Sequence, residues 1–513
     1  MNGRGVRCGL EIQWPFVNQP SVTKTHGCEF CFETARSKIN QCMTESTEIT
    51  PAQFPMTNQS SELDLRWNEN ISGYQWLVLI VASLGWVFDV FEGQIFVASM
   101  REAMPQLLGA ASADDSVVAR WNNYALAAFL LGGAFGGILF GMLSDRIGRS
   151  KTMIVTILFY SIFTCLTAFS NAAWQMVLLR FLVAMGVGGE WAVASAMIAE
   201  VMPKRSRPVM GSIFHASSVF GTVMAVAVGY FVISARLWGD DTWRLGFLIG
   251  IVPAFLVIVI RWKMKEPEQW HQARAREKQD PSQVTGSIPD LFNRDHLRNT
   301  LVGVTLATIG LVTFWGCHIY GKNALLRSAQ IQALATEDVP EDADPSIRQA
   351  ALKTHSAEIK RAEMVSMLLN TIGGGLGLVL FGWVSNVVGR RGAFVFYHAG
   401  GFVMALLMFL VLIPFRAPIP VLWFALPIFG FLTLGMHAGY AVYFPELFPT
   451  RLRGTGTGFC FNAGRLGTAV AIMLAAQMGW AAEQTALYLA PLYALGIAVT
   501  LVASETRGEE LPE

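Results

Sequence analysis

Charge is scarce in this sequence. Of 513 residues only 15% are Asp, Glu, Lys or Arg, while 53% are hydrophobic, against about 25% charged in soluble domains. So few charges cannot solvate a globular surface, but they suit helices that are apolar around their whole circumference. The net charge of +1 gives no basic field, and no nucleic-acid partner is expected. Cysteine is sparse as well: the total of seven is odd, and Cys165, Cys317 and Cys460 lie in apolar runs, so no disulfide framework is read. Cys8, Cys28, Cys31 and Cys42 fall in a polar stretch at 1–70. There Cys28-x-x-Cys31 lacks the second pair or His partners that four-coordinate zinc needs, so no metal site is expected. That stretch also lacks a secretory core of about 7–15 apolar residues. It reads as a disordered tail, or as an over-extended gene start with the true start at Met43 or Met56. No nucleophile, metal or nucleotide motif is present, so an enzyme is not expected, with no catalytic residue and no cofactor beyond a proton gradient. The glycine runs Gly373–Gly375 and Gly186, Gly188 and Gly189 follow no strand and read as close helix crossings.

What is present is a series of apolar runs of about 20 residues, each the length of a bilayer-crossing helix. They fall near 74–100, 122–143, 152–170, 174–200, 209–233, 243–262, 300–320, 363–385, 392–413, 420–444, 454–478 and 484–503. The predicted fold is all-α and integral to the membrane, with twelve transmembrane helices in two pseudo-symmetric halves. The halves are 71–262 and 300–503, joined by a linker at 263–299 and ended by a tail at 504–513. A long outward loop at 321–362 is expected to hold a short amphipathic helix around Ser346–Arg361. Arg146, Arg149, Lys151, Lys204, Arg205, Arg207, Lys263, Lys265, Arg390, Arg391, Arg451 and Arg453 all follow even-numbered spans. Connections after odd spans are short, neutral or acidic, so the basic side and both termini are predicted to be cytoplasmic.

One loop is written twice. Gly141-Met-Leu-Ser144-Asp145-Arg146-Ile-Gly148-Arg149-Ser-Lys151 returns 241 positions later (141 to 382) as Gly382-Trp-Val-Ser385-Asn386-Val-Val-Gly389-Arg390-Arg391. Repetition at half the chain length, inside membrane-length runs, is how two-fold transporters are built around a central site.

The first copy resembles the signature loop of the major facilitator superfamily between helices two and three. Several further elements resemble that superfamily: Arg180-Phe-Leu-Val-Ala-Met-Gly186-Val-Gly188-Gly189-Glu190-Trp191, Glu200-Val-Met-Pro203, Trp243-Arg244, Pro445-Glu446-Leu-Phe-Pro449-Thr-Arg451-Leu-Arg453-Gly454-Thr-Gly456, and Asn462-Ala-Gly464-Arg465. The resemblance spans residues 74–508. Within the superfamily the acidic pair in helix one and the Gly-Gly-Glu-Trp run are most similar to proton symporters of organic acids, the sialate and aromatic-acid groups and their metabolite-carrying relatives. The resemblance implies that Asp145 faces the start of helix eleven and Arg453 and, with Arg146, Arg149, Asn386 and Arg390, latches the cytoplasmic side. Asn386 cannot form an ion pair, so an asymmetric latch is expected; alternatively the basic residues only set topology.

Charges inside spans cost at least about 2.5–3.5 kcal/mol each at a helix centre, and few occur. Asp89 and Glu92 are three apart on one face of helix one; two close carboxylates disfavour double ionisation, as a proton carrier requires. Counting about 1.5 Å per residue puts Asp89 and Arg180 both about 21 Å above the cytoplasmic side, so an Asp89–Arg180 pair that breaks on protonation is expected, with a static packing pair as the alternative. Glu190 either completes a proton path or pairs with a basic residue. Arg465, about 16 Å into helix eleven, is the expected carboxylate anchor, with Arg180, Asn462, Asn370, His437 and Tyr440 as further substrate-binding candidates; His215 is another polar position in a span. The sequence reads as a monomeric secondary transporter, in the plasma membrane or a bacterial inner membrane, that moves a small organic anion with protons. A sugar or polyol carrier and a transporter-like nutrient sensor are the alternatives.

Overall fold

The computed structural model describes residues 67–109, 115–233, 238–340, 343–478, 480 and 482–513. The four cysteines of the N-terminal stretch, Met43 and Met56 lie outside the described residues. Among the described residues every regular element is helical. Eleven helical runs among these residues are long and apolar enough to cross a membrane: Gly73–Met100, Arg120–Ile147, Arg149–Thr167, Ala173–Val201, Arg207–Ile233, Gly239–Ile260, Leu297–Thr336, Arg361–Leu412, Ile419–Glu446, Arg453–Ala475 and Glu483–Val502. The eighth breaks at Gly389, whose φ of +84° is non-helical, and so contains two spans. The total is twelve, numbered α1 to α12, with α8 before and α9 after Gly389.

Local chemistry sets these boundaries. α1 starts at a capping box, in which Ser72 Oγ accepts from the Gln75 amide at 3.2 Å and Gln75 Oε1 from the Ser72 amide at 2.9 Å. The two loop copies turn at equivalent glycines, Gly148 at φ +113° and Gly389 at φ +84°. After each turn a distant carboxylate caps the next helix. Glu266 accepts from the amides of Ser150 and Lys151, both at 3.1 Å. Glu505 accepts from those of Arg390 and Arg391 at 2.8 and 3.0 Å. A Cβ at either glycine would stand 2.5 Å from the capping carboxylate. The halves meet along α2 and α11, where Gly137 and Gly141 face Gly458 and Gly454, a small-residue seam that lets backbones touch.

The end of the bundle that carries both loop copies is called here the loop face. The linker is folded against it: a helix at Glu268–Gln279 seats Trp270, whose indole N–H donates to the Asp145 carbonyl at 2.8 Å. On the opposite face α7 itself extends into the stretch expected as a loop, its last part being the helix Ala324–Thr336. The helix predicted around Ser346–Arg361 is instead Pro345–Thr354, with the next helix starting at Ser356.

Candidate functional site

The loop face is shut by a buried cluster of two acids and two bases. Asp145 accepts from the amides of Gly454 and Thr455 at 3.0 and 2.7 Å and from the Thr455 hydroxyl at 2.6 Å, so a carboxylate from the first half occupies the open N-terminus of α11. Arg149 pairs with Asp145 at 2.7 Å and with Glu200 at 2.7 Å. Arg453, expected beside Asp145, lies within its electrostatic range and pairs directly with Glu200 at 2.8 Å, donating also to the Pro445 and Pro512 carbonyls. Arg146 stands to one side, donating to the Gly286 carbonyl at 3.3 Å.

The second loop copy makes only part of this arrangement. Arg390 pairs with Glu446 at 2.9 Å, as Arg149 does with Glu200. Asn386 donates to the Arg205 carbonyl at 3.2 Å and lies 3.5 Å from Arg390 Nη1. The reason lies in its partners. Glu200 and Glu446 are 246 positions apart, and by the same offset Gly454 and Thr455 correspond to Pro208 and Val209. A proline has no amide proton and a valine no hydroxyl, so a carboxylate here would find two of its three donors missing.

In mid-membrane the first half holds three carboxylates. Asp89, Glu92 and Glu190 are all buried, and neither oxygen of Asp89 or Glu92 has a hydrogen-bond partner. Glu190 Oε2 accepts from Thr156 Oγ1 at 2.5 Å, while Oε1 is unpartnered and faces Gly85. The expected Asp89–Arg180 pair is absent. Arg180 acts electrostatically on Glu92, and the cation acting on Asp89 is Arg465, from the other half. Counting residues gives height only for upright helices of equal length, and the helix of α1 runs on to Leu108, so Arg180 falls level with Glu92 and Phe96. There it is boxed in, 4.9 Å over the Phe247 ring, 5.9 Å over Phe96, and bonded to Thr167 Oγ1 at 2.9 Å.

The six substrate-binding candidates therefore separate. Arg465 makes no hydrogen bond among the described residues, stays partly accessible, lies 5.1 Å over the Phe461 ring and reaches Gly133 of the first half. Arg180 is sealed in its aromatic box. Asn462 is pressed against Gly137, its amide donating to the Gly458 carbonyl at 2.7 Å, and Tyr440 gives its hydroxyl proton to the Leu306 carbonyl at 3.1 Å. Tyr440 is thus turned to protein and Arg180 enclosed, while Asn462 Oδ1 and Arg180 Nε and Nη1 have no hydrogen-bond partner. Asn370 lies 3.2 Å from His318 Nε2, and His318 Nδ1 lies 2.7 Å from Thr433 Oγ1. His437 keeps Nε2 unpartnered. Around Arg465 runs an aromatic chain across the halves: Phe461 stacks on Trp191 at 4.1 Å, and Trp191 donates to His215 Nδ1 at 3.1 Å.

Glu200, Glu446, Glu266, Glu505 and His318 have structural roles that the sequence reading left unassigned. The 246-position echo of Glu200 in Glu446 was a signal for the first two; the capping pair and His318, set by a π-helical turn at Phe314–His318, carry none.

Residues 82–472 match the family model of the Major Facilitator Superfamily. The chain is similar to a probable 4-methylmuconolactone transporter of Cupriavidus pinatubonensis, 27% identical and covering 83% of this chain and 89% of that one. It is also similar to the cis,cis-muconate transport protein of Acinetobacter baylyi, 29% identical over 70% of this chain and 79% of that one, and to the sialic acid transporter NanX of Escherichia coli, 25% identical over 85% and 92%. Among solved structures, the proton:xylose symporter XylE bound to 6-bromo-6-deoxy-D-glucose superposes with a TM-score of 0.65 at 17% identity, covering 85% of this chain and 98% of that one; at that identity the likeness is one of fold. Twelve spans, the doubled loop and a match over most of both halves lead to one assignment: the chain belongs to the Major Facilitator Superfamily and is a multi-pass membrane transporter.

Proposed function

We propose that the protein carries a small organic anion together with protons, working as a monomer by rocking one half against the other, with the loop face and both termini in the cytoplasm. The observation that carries this reading is that Asp89, a buried carboxylate with no hydrogen bond, lies within electrostatic range of Arg465, a partly accessible guanidinium with none, from the opposite half. A guanidinium binds a carboxylate through two parallel hydrogen bonds. When a substrate carboxylate takes Arg465, Asp89 loses the positive charge that favours its ionised form and takes up a proton. Glu92 and Glu190 lie above and below it as further proton stations. Similarity to carriers named for muconate, methylmuconolactone and sialic acid favours an anionic substrate.

The test is uptake by proteoliposomes under an imposed pH gradient, with benzoate, muconate, sialate and xylose as competitors. Accumulation of a carboxylate that collapses when the gradient is dissipated is expected. Transport indifferent to the gradient would refute the coupling, competition by xylose alone would favour a sugar carrier, and binding without movement would favour a sensor.

A further inference from the structure

We propose that His215 and His437, one from each half, form a donor–acceptor clamp that reads a hydroxyl group on the transported anion. This deepens the organic-anion reading and rests on it.

Hydrogen bonding fixes each neutral ring. The indole N–H of Trp191 can only donate, and its acceptor at 3.1 Å is His215 Nδ1; that nitrogen therefore carries the lone pair, and the ring proton sits on Nε2. In His437 the order is reversed. Its Nδ1 lies 3.1 Å from the Leu434 carbonyl, which can only accept, so Nδ1 carries the proton and Nε2 the lone pair. The Gly310 carbonyl beside this ring completes no hydrogen bond with Nε2. One histidine thus presents a free donor and the other a free acceptor. His437 Nε2 is buried without a partner on a residue that is 5% exposed, while His215, 6% exposed, has no partner for its Nε2 proton.

The two rings share a level. α5 leaves the loop face as α10 approaches it, and they touch at Gly211, where a Cβ would stand 3.1 Å from Val442 and near the Ala441 carbonyl. One turn farther in, four residues along each helix, His215 comes level with Ala438 and His437, within electrostatic range of the second ring. Both rings are held by packing. Trp86 lies 5.5 Å from His215, and Phe314 and Tyr440 each lie 5.4 Å from His437.

A carboxylate only accepts and an ammonium only donates, whereas a hydroxyl does both through a single oxygen. The clamp is continuous with the anion anchor, because Trp191 stacks on Phe461, Arg465 lies over that ring, and Tyr440 joins Phe461 at 6.1 Å to His437. The ligand class is therefore a small hydroxylated carboxylate, its carboxylate at Arg465 and its hydroxyl between the histidines. Because each histidine belongs to a different half, such a ligand also ties the halves together above the closed loop face.

The experiment measures binding by the purified full chain in lipid nanodiscs, using benzoate against its three hydroxybenzoate isomers and butyrate against 3-hydroxybutyrate. In at least one pair the hydroxylated acid is expected to bind about tenfold more tightly, since a site built for a hydroxyl rejects the analogue that lacks it. His437→Phe, which fills the ring's place without an acceptor, should bring that ratio to near one; His437→Gln, which keeps an acceptor, should restore part of it. A wild-type ratio near one across the whole panel overturns the clamp without any variant, and so does a His437→Phe protein that keeps the full ratio. Equal binding of both members of every pair overturns the clamp alone, whereas no binding of any carboxylate overturns the anion reading and the clamp with it.

Discussion

Replacing Asp145 by Asn tests the loop-face latch most directly. Asp145 takes three hydrogen bonds from Gly454 and Thr455 and pairs with Arg149, all without exposure to solvent. Asparagine keeps one oxygen for an amide, but turns an NH2 toward either Arg149 or Thr455. The pair with Arg149 lies within the first half and survives opening, so what the closed state alone holds is the set of hydrogen bonds to Gly454 and Thr455. Hydrogen bonds to a charged group are worth about 1.5–3 kcal/mol each. About 3 kcal/mol lost from the closed state alone multiplies the open-to-closed ratio by roughly 150. Asn386→Ala removes a 3.2 Å bond to a carbonyl and a 3.5 Å contact, worth about 1 kcal/mol and roughly fivefold. A cysteine placed at Thr457, buried in α11 just beyond the latch, in a chain otherwise free of cysteine, reports opening by its rate of labelling with an impermeant maleimide added at the loop face. Asp145→Asn should speed labelling far more than Asn386→Ala does, up to the ceiling of a fully open population. Equal effects of the two substitutions, or slower labelling with Asp145→Asn, would refute the asymmetric latch.

Arg465→Lys should weaken binding of the native anion roughly 10- to 150-fold, the loss of charged hydrogen bonds worth about 1.5–3 kcal/mol, because lysine lacks the planar fork; normal binding in titration calorimetry would remove Arg465 from the site. Gly286→Val should also open the loop face. This linker residue is buried at φ +70°, donates to the Arg451 carbonyl at 2.8 Å, accepts from Arg146 at 3.3 Å and leaves only 2.7 Å between a Cβ and the Met142 carbonyl. A cost of about 2 kcal/mol predicts roughly thirtyfold faster labelling at position 457, and unchanged labelling would make the linker a slack tether. Asp89→Asn should abolish accumulation driven by a pH gradient yet retain substrate exchange, read by counterflow in proteoliposomes; full gradient-driven uptake would exclude Asp89 as the proton carrier.

The spans were legible because a lipid-facing helix declares itself by length and apolarity alone, without reference to its neighbours. The doubled loop was legible because the two halves repeat it. What escaped depended on azimuth and tilt, which packing decides. Asp89 and Arg180 were matched by height, yet it is Glu92, one turn on, that faces Arg180. Arg149 and Arg453 share Glu200 across 51 and 253 positions, and no local pattern marks such a pairing. Glu266 and Glu505 looked like ordinary charges after the last span of each half, and only the turn at each loop glycine brings a bare helix start beneath them. Tyr440 had the right residue type at the right depth, but its hydroxyl proton goes to Leu306; Asn462 gives its amide to Gly458 and keeps Oδ1 unpartnered.

The division of charge between the halves gives the proposed coupling its logic. Asp89, the acid proposed to take the proton, belongs to the first half and Arg465 to the second, and each is within electrostatic range of the other. With the site empty, Asp89 offsets Arg465, while within the first half Arg180 acts electrostatically on Glu92. With anion and proton both bound, Arg465 is offset by substrate and Asp89 is neutral. Only half-loaded carriers, with one but not the other, carry an uncompensated charge through the apolar centre. That charge costs about 2.5–3.5 kcal/mol, so a half-loaded carrier should switch roughly 70- to 400-fold less often, which makes uptake of one ligand without the other a slow leak. Asp89→Asn inverts the pattern. Its anion-loaded form stays neutral and switches, whereas its empty form leaves Arg465 unpaired and stalls. Exchange therefore survives while net uptake fails, and a mutant that lost both to the same degree would show that Asp89 supports the fold and not the coupling.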